Sequence, residues 1–140
     1  MIYGIRITPT KTGFEVTCRD IPECIYEAKD EAQAQELAQE ILPGALVLFY
    51  RKKRKAFPMP SQLQADEIPV FVPLKVQAKM LFWNFMQHND YRIIDVAKKL
   101  GITHAEASRL VDITRDSASI DTIEQAFFAY DKDINLVANL

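Results

Sequence analysis

At 140 residues the chain is about one domain long, or two small ones. Hydrophobic residues make up 49% and charged residues 26%, the balance of an ordinary globular protein. No apolar run approaches the ~18 residues of a membrane span, and two cysteines, Cys18 and Cys24, make no disulfide framework. Met1 leads straight into strand-like sequence, so no signal peptide is expected and a reducing cytoplasm is the expected setting. The formal net charge of −2 hides a strong asymmetry. Residues 1–50 carry four basic against eight acidic side chains, a balance of −4, and "RKKRK" at 51–55 follows with +5. Nucleic-acid contact, if any, must be local, and the N-terminal half favours a basic partner.

Taken in chain order, "IYGIRIT" at 2–8 alternates Tyr3, Ile5 and Ile7 with Ile2, Gly4, Arg6 and Thr8, the pattern of a strand. "PTKTG" is a turn cluster, and "FEVTCRD" alternates again through Phe14, Val16 and Cys18, completing a hairpin. Ile21-Pro22 ends the second strand, and "CIYEA" offers a third. Asp30 stands at a helix N-cap with Glu31 in the first turn. Ala34, Leu37, Ala38, Ile41, Leu42, Ala45, Leu48 and Phe49 then repeat at helical spacing. Pro43-Gly44 interrupts them, and an interior proline costs roughly 3 kcal/mol, so a kink or break is expected there. "FPMPSQLQADEIP" at 57–69 reads as a loop and "VFVPL" at 70–74 as a fourth strand. From Lys75 to His88 the spacing turns helical, with Val76, Met80, Phe82, Trp83 and Met86 apolar. The expected division is an α+β unit over 1–73 and an all-helical unit over 74–140.

The helical unit holds the most informative motif, "DVAKKLGITHAEASRLVD". Ile93, Val96, Ala97 and Leu100 share one helix face, and Gly101 suits a left-handed helix end. Ile102 is an apolar plug, and Thr103 with Glu106 matches a capping box. Ala107, Leu110 and Val111 return to the core, where small Ala97 and Ala107 let two helices cross closely. That spacing predicts a helix-turn-helix over 93–112. Its second helix, expected over 103–112, would turn Thr103, His104, Ser108, Arg109 and Asp112 outward to double-stranded DNA. Lys98, Lys99 and Arg115 would meet phosphates. The plain alternative is a structural helical hairpin with a solvated polar face. Beyond a polar loop, "IDTIEQAFFAYD" forms a last helix with Asp121 as N-cap and Glu124 its reciprocal partner, Ile123, Ala126, Phe127 and Tyr130 packing inward. The apolar tail "INLVANL" is expected to be covered by its own domain or by a second subunit.

Other candidates carry less. Asp20, Glu23 and Glu27 surround a proline turn, not neighbouring core strands, so no catalytic site is expected. Two cysteines without a second pair or a nearby histidine do not close a zinc site, and buried thiols are the better account. No metal or cofactor is expected. His88 is expected to be exposed. His104 donates to a phosphate or base, or is a solvated helix residue. "RKKRK" fits a nucleic-acid backbone, or, more simply, the solvated end of a helix. Phe82, Trp83 and Phe85 read as core plus subunit interface.

Beyond these patterns, the chain resembles the HicB antitoxins in their longer form with a C-terminal helix-turn-helix. The resemblance rests on "IYGIRITP", "DIPEC", the Ala-rich helix, "FPMPSQL", "VFVPLKVQAKMLFWNFM", the motif at 93–112 and "SID" before the last helix. Their order and spacing carry it over nearly the whole chain. Ala28-Lys29-Asp30, Pro43-Gly44 and "RKKRK" depart from the family pattern. The resemblance implies an incomplete RNase-H-like N-terminal domain that blocks a small basic mRNA-cleaving toxin of the HicA kind. It also implies a C-terminal domain that dimerises, or forms a higher even oligomer, and represses the shared operon. Asp20, Glu23, Glu27 and Glu31 become candidate toxin contacts. The other reading is a stand-alone transcription regulator whose N-terminal domain senses a ligand.

Overall fold

Alternation in the first thirty residues becomes an antiparallel meander. In the computed structural model, which describes residues 1–140, β1 (Ile2–Pro9) pairs with β2 (Phe14–Cys18), and β2 with β3 (Ile25–Ala28). A fourth strand, β4 (Ile68–Phe71), joins the free side of β1, giving the order β3-β2-β1-β4. The chain is therefore α+β. It divides into two compact units, Met1–Leu74 and Lys75–Leu140. β4 starts and ends earlier than the 70–74 read from sequence. Pro69 lies on an edge strand, where a missing N–H breaks no ladder.

Pairing Ile5 with Cys18, Ile7 with Val16 and Tyr3 with Val70 puts these side chains on one sheet face. Helix α1 (Glu31–Leu46) packs there through Ala34, Ala38, Leu42, Ala45 and Leu46. Its start is as expected: the Asp30 carboxylate accepts the Gln33 N–H at 2.8 Å. The Gln33 side chain answers by accepting the Lys29 N–H at 2.8 Å. No break occurs at Pro43-Gly44; the helix runs on to Leu46, then widens into a π turn over Val47–Arg51. Pro43 deprives only the Gln39 carbonyl of a partner. Gln39 lies on the exposed side of the helix.

The opposite sheet face is partly covered by the segment before β4. Arg19 donates to both Glu67 oxygens, to Ser61 Oγ and to the Gln62 carbonyl. Glu67 Oε1 also accepts the Gln64 N–H at 2.8 Å. The Glu67 side chain is 1% exposed, so its charge is tolerated because these donors surround it. A Cβ on Gly4 would stand 2.7 Å from Glu67 Oε1 and 3.0 Å from Leu63 Cδ1. Glycine at this point lets the carboxylate lie against β1.

The second unit holds α2 (Leu74–His88), α3 (Ile93–Leu100), α4 (His104–Arg109) and α5 (Ile120–Phe128). Met80, Phe82, Trp83 and Met86 of α2 are buried with Val96, Leu110, Ile123 and Phe127. Phe82 meets Phe127 edge-on at 5.1 Å, and Tyr91 stacks on Tyr130 at 5.1 Å. Phe82 and Phe85 thus serve the unit's own core, Phe85 being partly exposed, and Trp83 is buried. The N-cap of α5 is Ser119, whose Oγ accepts the Thr122 N–H, rather than Asp121. Ala118 at φ 63° turns the chain so that the serine reaches first, leaving Asp121 in the first turn. The tail beyond Asp131 does not fold onto its own domain: Leu136 and Val137 are 73% and 79% exposed. No helix is long and apolar enough to cross a membrane.

Two outcomes follow for the first unit. Gly4→Ala should destabilise it by about 1–3 kcal/mol, the usual effect of forcing a methyl into filled space, read by hydrogen exchange at the β1 amides. The Arg19 guanidinium hydrogen-bonded to Glu67 holds that carboxyl below the usual carboxylate range. A carboxyl with a lower pKa folded than unfolded (about 4.3) stabilises the fold above the unfolded value and ceases to as pH falls through the folded one. Glu67→Gln should therefore be the less stable protein at neutral pH, with the gap to wild type closing in acid. A gap independent of pH in urea unfolding would contradict this origin.

Candidate functional site

The helix pair α3–α4 is built as its sequence demands. Asp95 accepts the Arg92 N–H at 2.8 Å and fixes the start of α3. Gly101 ends that helix at φ 68°, ψ 36°, the left-handed region where a Cβ is unwelcome. The Ile102 N–H returns to the Ala97 carbonyl at 3.0 Å. Thr103 then caps α4, its Oγ1 accepting the Glu106 N–H at 3.1 Å. Ala97 and Ala107 are both buried, and α3 packs against α4.

Of the residues assigned to the outer face, Thr103, His104 and Arg109 are exposed and Ser108 is half-buried. Lys98 and Lys99 are exposed in the last turn of α3. The Lys99 ammonium lies 5.7 Å from the centre of the Tyr130 ring. Asp112 is not on α4, which ends at Arg109 and not at 112. Its carboxylate turns back to accept the Thr114 N–H and O–H and lies 3.7 Å from Arg115. A short polar side chain here caps the following turn more readily than it prolongs the helix. Arg115 itself is exposed. Arg109 also stands on the rim of a cleft of about 610 Å³ between α4 and α5, floored by Leu100, Ile102, Leu110 and Ala129.

The four acidic candidates of the first unit are not one cluster. Asp20 is engaged by Ser61, accepting from both its N–H and its Oγ. Glu23 accepts from the Tyr50 hydroxyl at 2.7 Å; burial, with that bond, pushes the phenol up to about 12. Glu31 is exposed at the start of α1. Glu27 is exposed on the edge strand β3, directly across from Glu15 on β2. Ile25, two residues away on the same outer face, is 60% exposed. No three His, Cys, Asp or Glu side chains come together as a metal set. Cys18 and Cys24 are free, buried thiols; burial pushes Cys24 up to about 11.

Comparison with known proteins adds the family. Residues 2–81 match the family described as HicB_like antitoxin of bacterial toxin-antitoxin system. The chain belongs to that family. It is 30% identical over 138 residues to Antitoxin HicB of Escherichia coli (strain K12), covering 98% of this chain and 99% of the relative. It is 33% identical over 138 residues to Antitoxin HicB 2 of Photorhabdus laumondii, covering 99% and 96%. The protein is thus a bacterial antitoxin of the HicB kind, and the likeness runs through both units.

Two residues of this antitoxin were missed in the sequence. Glu15 enters the sequence reading only as charge, although the hairpin alternation puts it on the outer face. Lys79 lies inside the α2 pattern, where its sequence context gives no hint of burial. It is 1% exposed. Its ammonium donates to the carbonyls of Asp112 and Arg115, each at 2.8 Å, and to Ser117 Oγ at 3.4 Å. These acceptors lie just past α4, so the lysine ties the end of that helix to α2. Lys75 pairs with Asp116 in the same segment. Replacing Lys79 by Met should cost the unit about 1–3 kcal/mol, the range for losing charged hydrogen bonds to buried acceptors. Trp83, the single tryptophan, lies on the same helix, is buried, and reports the change through urea-induced fluorescence. An unchanged midpoint would mean that the carbonyls find other partners.

Proposed function

We propose that this antitoxin occludes a HicA-like mRNA-cleaving toxin with its first unit and represses its own operon with its second. In this reading α3 and α4 form a helix-turn-helix, and α4 enters the major groove of operator DNA. The observation that carries it is the α3–α4 junction. A left-handed glycine, a threonine cap and two buried alanines hold α4 so that Thr103, His104 and Arg109 are outermost. Arg109 supplies a bidentate donor suited to guanine, and Thr103 and His104 supply short donors for a phosphate or base edge. Lys98, Lys99 and Arg115 add charge for phosphates. Ser108 contributes at the margin, and Asp112 acts through the turn that it caps.

Occlusion of the toxin is a matter of surface and charge rather than catalysis. The outer face of β2 and β3 offers Glu15, Glu27 and exposed Ile25, an apolar centre with acidic flanks suited to a basic protein. Glu31 extends the acidic surface at the start of α1, while Asp20 and Glu23 hold the unit's own loops in place. A homodimer, or a higher even oligomer, would present two α4 helices to a two-fold operator, and the exposed tail supplies apolar surface for such association. The working compartment would be the cytoplasm, where toxin, mRNA and operator meet.

Two variants separate the two surfaces. Arg109→Ala should weaken operator binding by about 1–3 kcal/mol and leave toxin neutralisation intact. Glu15→Lys with Glu27→Lys should do the reverse, releasing the toxin in a co-purification assay while the operator shift persists. Loss of both activities in either protein would overturn the division of labour.

A further inference from the structure

Within the second unit, an apolar cleft and an apolar segment are both left uncovered. The cleft between α4 and α5, about 610 Å³, lies in the range of ~300–1,000 Å³ that holds bound ligands. Leu100, Ile102, Leu110 and Ala129 make it apolar inside, while Thr122 and Gln125 form the α5 wall. Both of those wall residues are exposed. Beyond α5, "INLVANL" alternates: Ile134, Leu136, Ala138 and Leu140 fall on one side of an extended chain, and Asn135, Val137 and Asn139 on the other. Leu136 and Leu140 are exposed to solvent. Water penalises both surfaces, and each has the shape and polarity to cover the other.

We propose that residues 134–140 of one copy lie extended in the α4–α5 cleft of a second copy. Length, chemistry and charge select this occupant. From Thr122 to Ala129 the α5 wall rises roughly 10 Å at ~1.5 Å per residue, the span of about three extended residues at ~3.3 Å each. Two neighbouring pegs of the apolar row therefore enter together, Leu136 with Ile134 or Ala138. An extended segment also brings unpaired backbone N–H and C=O groups. The Gln125 amide and the Thr122 hydroxyl offer both donors and acceptors to them. The cleft is lined by Lys99 and Arg109 against Glu106, a balance of +1, and residues 131–140 carry Asp131 and Asp133 against Lys132, a balance of −1.

The turn that ends α5 favours a second copy over the chain's own segment. Proximity alone would favour the chain's own, because its effective concentration is high, yet that segment stays out. The Tyr130 and Asp131 N–H groups donate to the Phe127 and Phe128 carbonyls, each at 2.9 Å, and the Lys132 N–H to the Phe127 carbonyl at 3.0 Å. Asp131 is left-handed at φ 57°, and the Tyr130 ring packs with Tyr91 and Lys99. This closed turn takes the chain off α5 immediately past Ala129, itself part of the cleft wall. Doubling back would undo it, whereas a segment arriving from a copy has no such turn to open. The exchange is two-fold by construction, since each copy gives one segment and receives one. It rests on the homodimer proposed above and names its joint.

The test co-expresses two full-length chains with tags of different mass, one carrying Val137→Cys and the other Gln125→Cys, under a mild thiol oxidant. Cys18 and Cys24 are buried and serve as the background. A disulfide needs Cα atoms within ~7 Å, so its yield reports seating of the segment. A linked pair with one chain of each kind is expected at more than about tenfold the yield given by Asp121→Cys in place of Gln125→Cys. Asp121 is exposed on α5 but lies outside the cleft. Adding Leu136→Asp to the first chain should abolish the excess, and so should Ala129→Trp in the second, which fills the cleft. Leu136 is exposed, so its replacement leaves the fold intact. Equal yields at Gln125 and Asp121 would overturn the proposal, as would a chain carrying both cysteines that closes on itself as a monomer. A dimer in sedimentation without the Gln125 cross-link sinks this joint and leaves the proposed dimer standing; a monomer at every concentration sinks both.

Discussion

An ammonium group that is almost wholly shielded from water must find its hydrogen bonds within the protein, and Lys79 finds them at the carbonyls of Asp112 and Arg115. The geometry of the second unit depends on that demand. A six-residue helix cannot stand alone, because nucleation is unfavourable and few bonds follow it. α4 is held by Gly101 and Thr103 at one end and, just past the other, by a turn fastened to α2 through the lysine. Asp112 closes the same turn from within by taking the Thr114 N–H. The turn brings both carbonyls to the one cation.

A comparable constraint operates in the first unit, with the signs reversed. Glu67 is a nearly inaccessible carboxylate, and Arg19 and the Gln64 N–H are its donors. Gly4 makes the space, and Arg19 at the same time gathers Ser61 and the Gln62 carbonyl. A segment without regular structure is thereby pinned across the outer face of β1, and β4 begins immediately after it at Ile68. Each unit thus uses one buried charge to place an irregular segment that apolar packing alone would leave undefined. Breaking such a pair exposes an uncompensated charge, so the arrangement specifies one conformation even where its net stabilisation is modest.

What could be read in the sequence was periodic or local. Alternation locates β1, β2 and β3, because each buries one face, and the 3.6-residue spacing locates α1, α2 and α5. The cap residues Asp30 and Thr103 and the left-handed Gly101 were legible because their signals lie within four residues. Misreadings came from competition between equally local signals. Ser119 and Asp121 can both cap α5, and the left-handed Ala118 decides for the serine. Pro43 looks like a breaker, yet the helix runs through it to Leu46. Lys79 and Glu67 were invisible for a different reason. Their partners are 33 or more residues away for the lysine and 48 for Arg19 and Glu67, and no short-range pattern encodes such a meeting.

The near-neutral total charge is the sum of patches that the fold keeps apart. On the outer face of β2 and β3, Glu15 and Glu27 are directly opposed, an arrangement that repels and costs stability when no cation intervenes. Folding alone would select against the opposed glutamates, since one exchange of sign at an exposed position would relieve them. A local violation of this sort is expected where a surface is kept for something outside the molecule. A basic protein against the glutamates would remove the repulsion on binding. The patch would then recover, in its complex, the stability it withholds from the free chain.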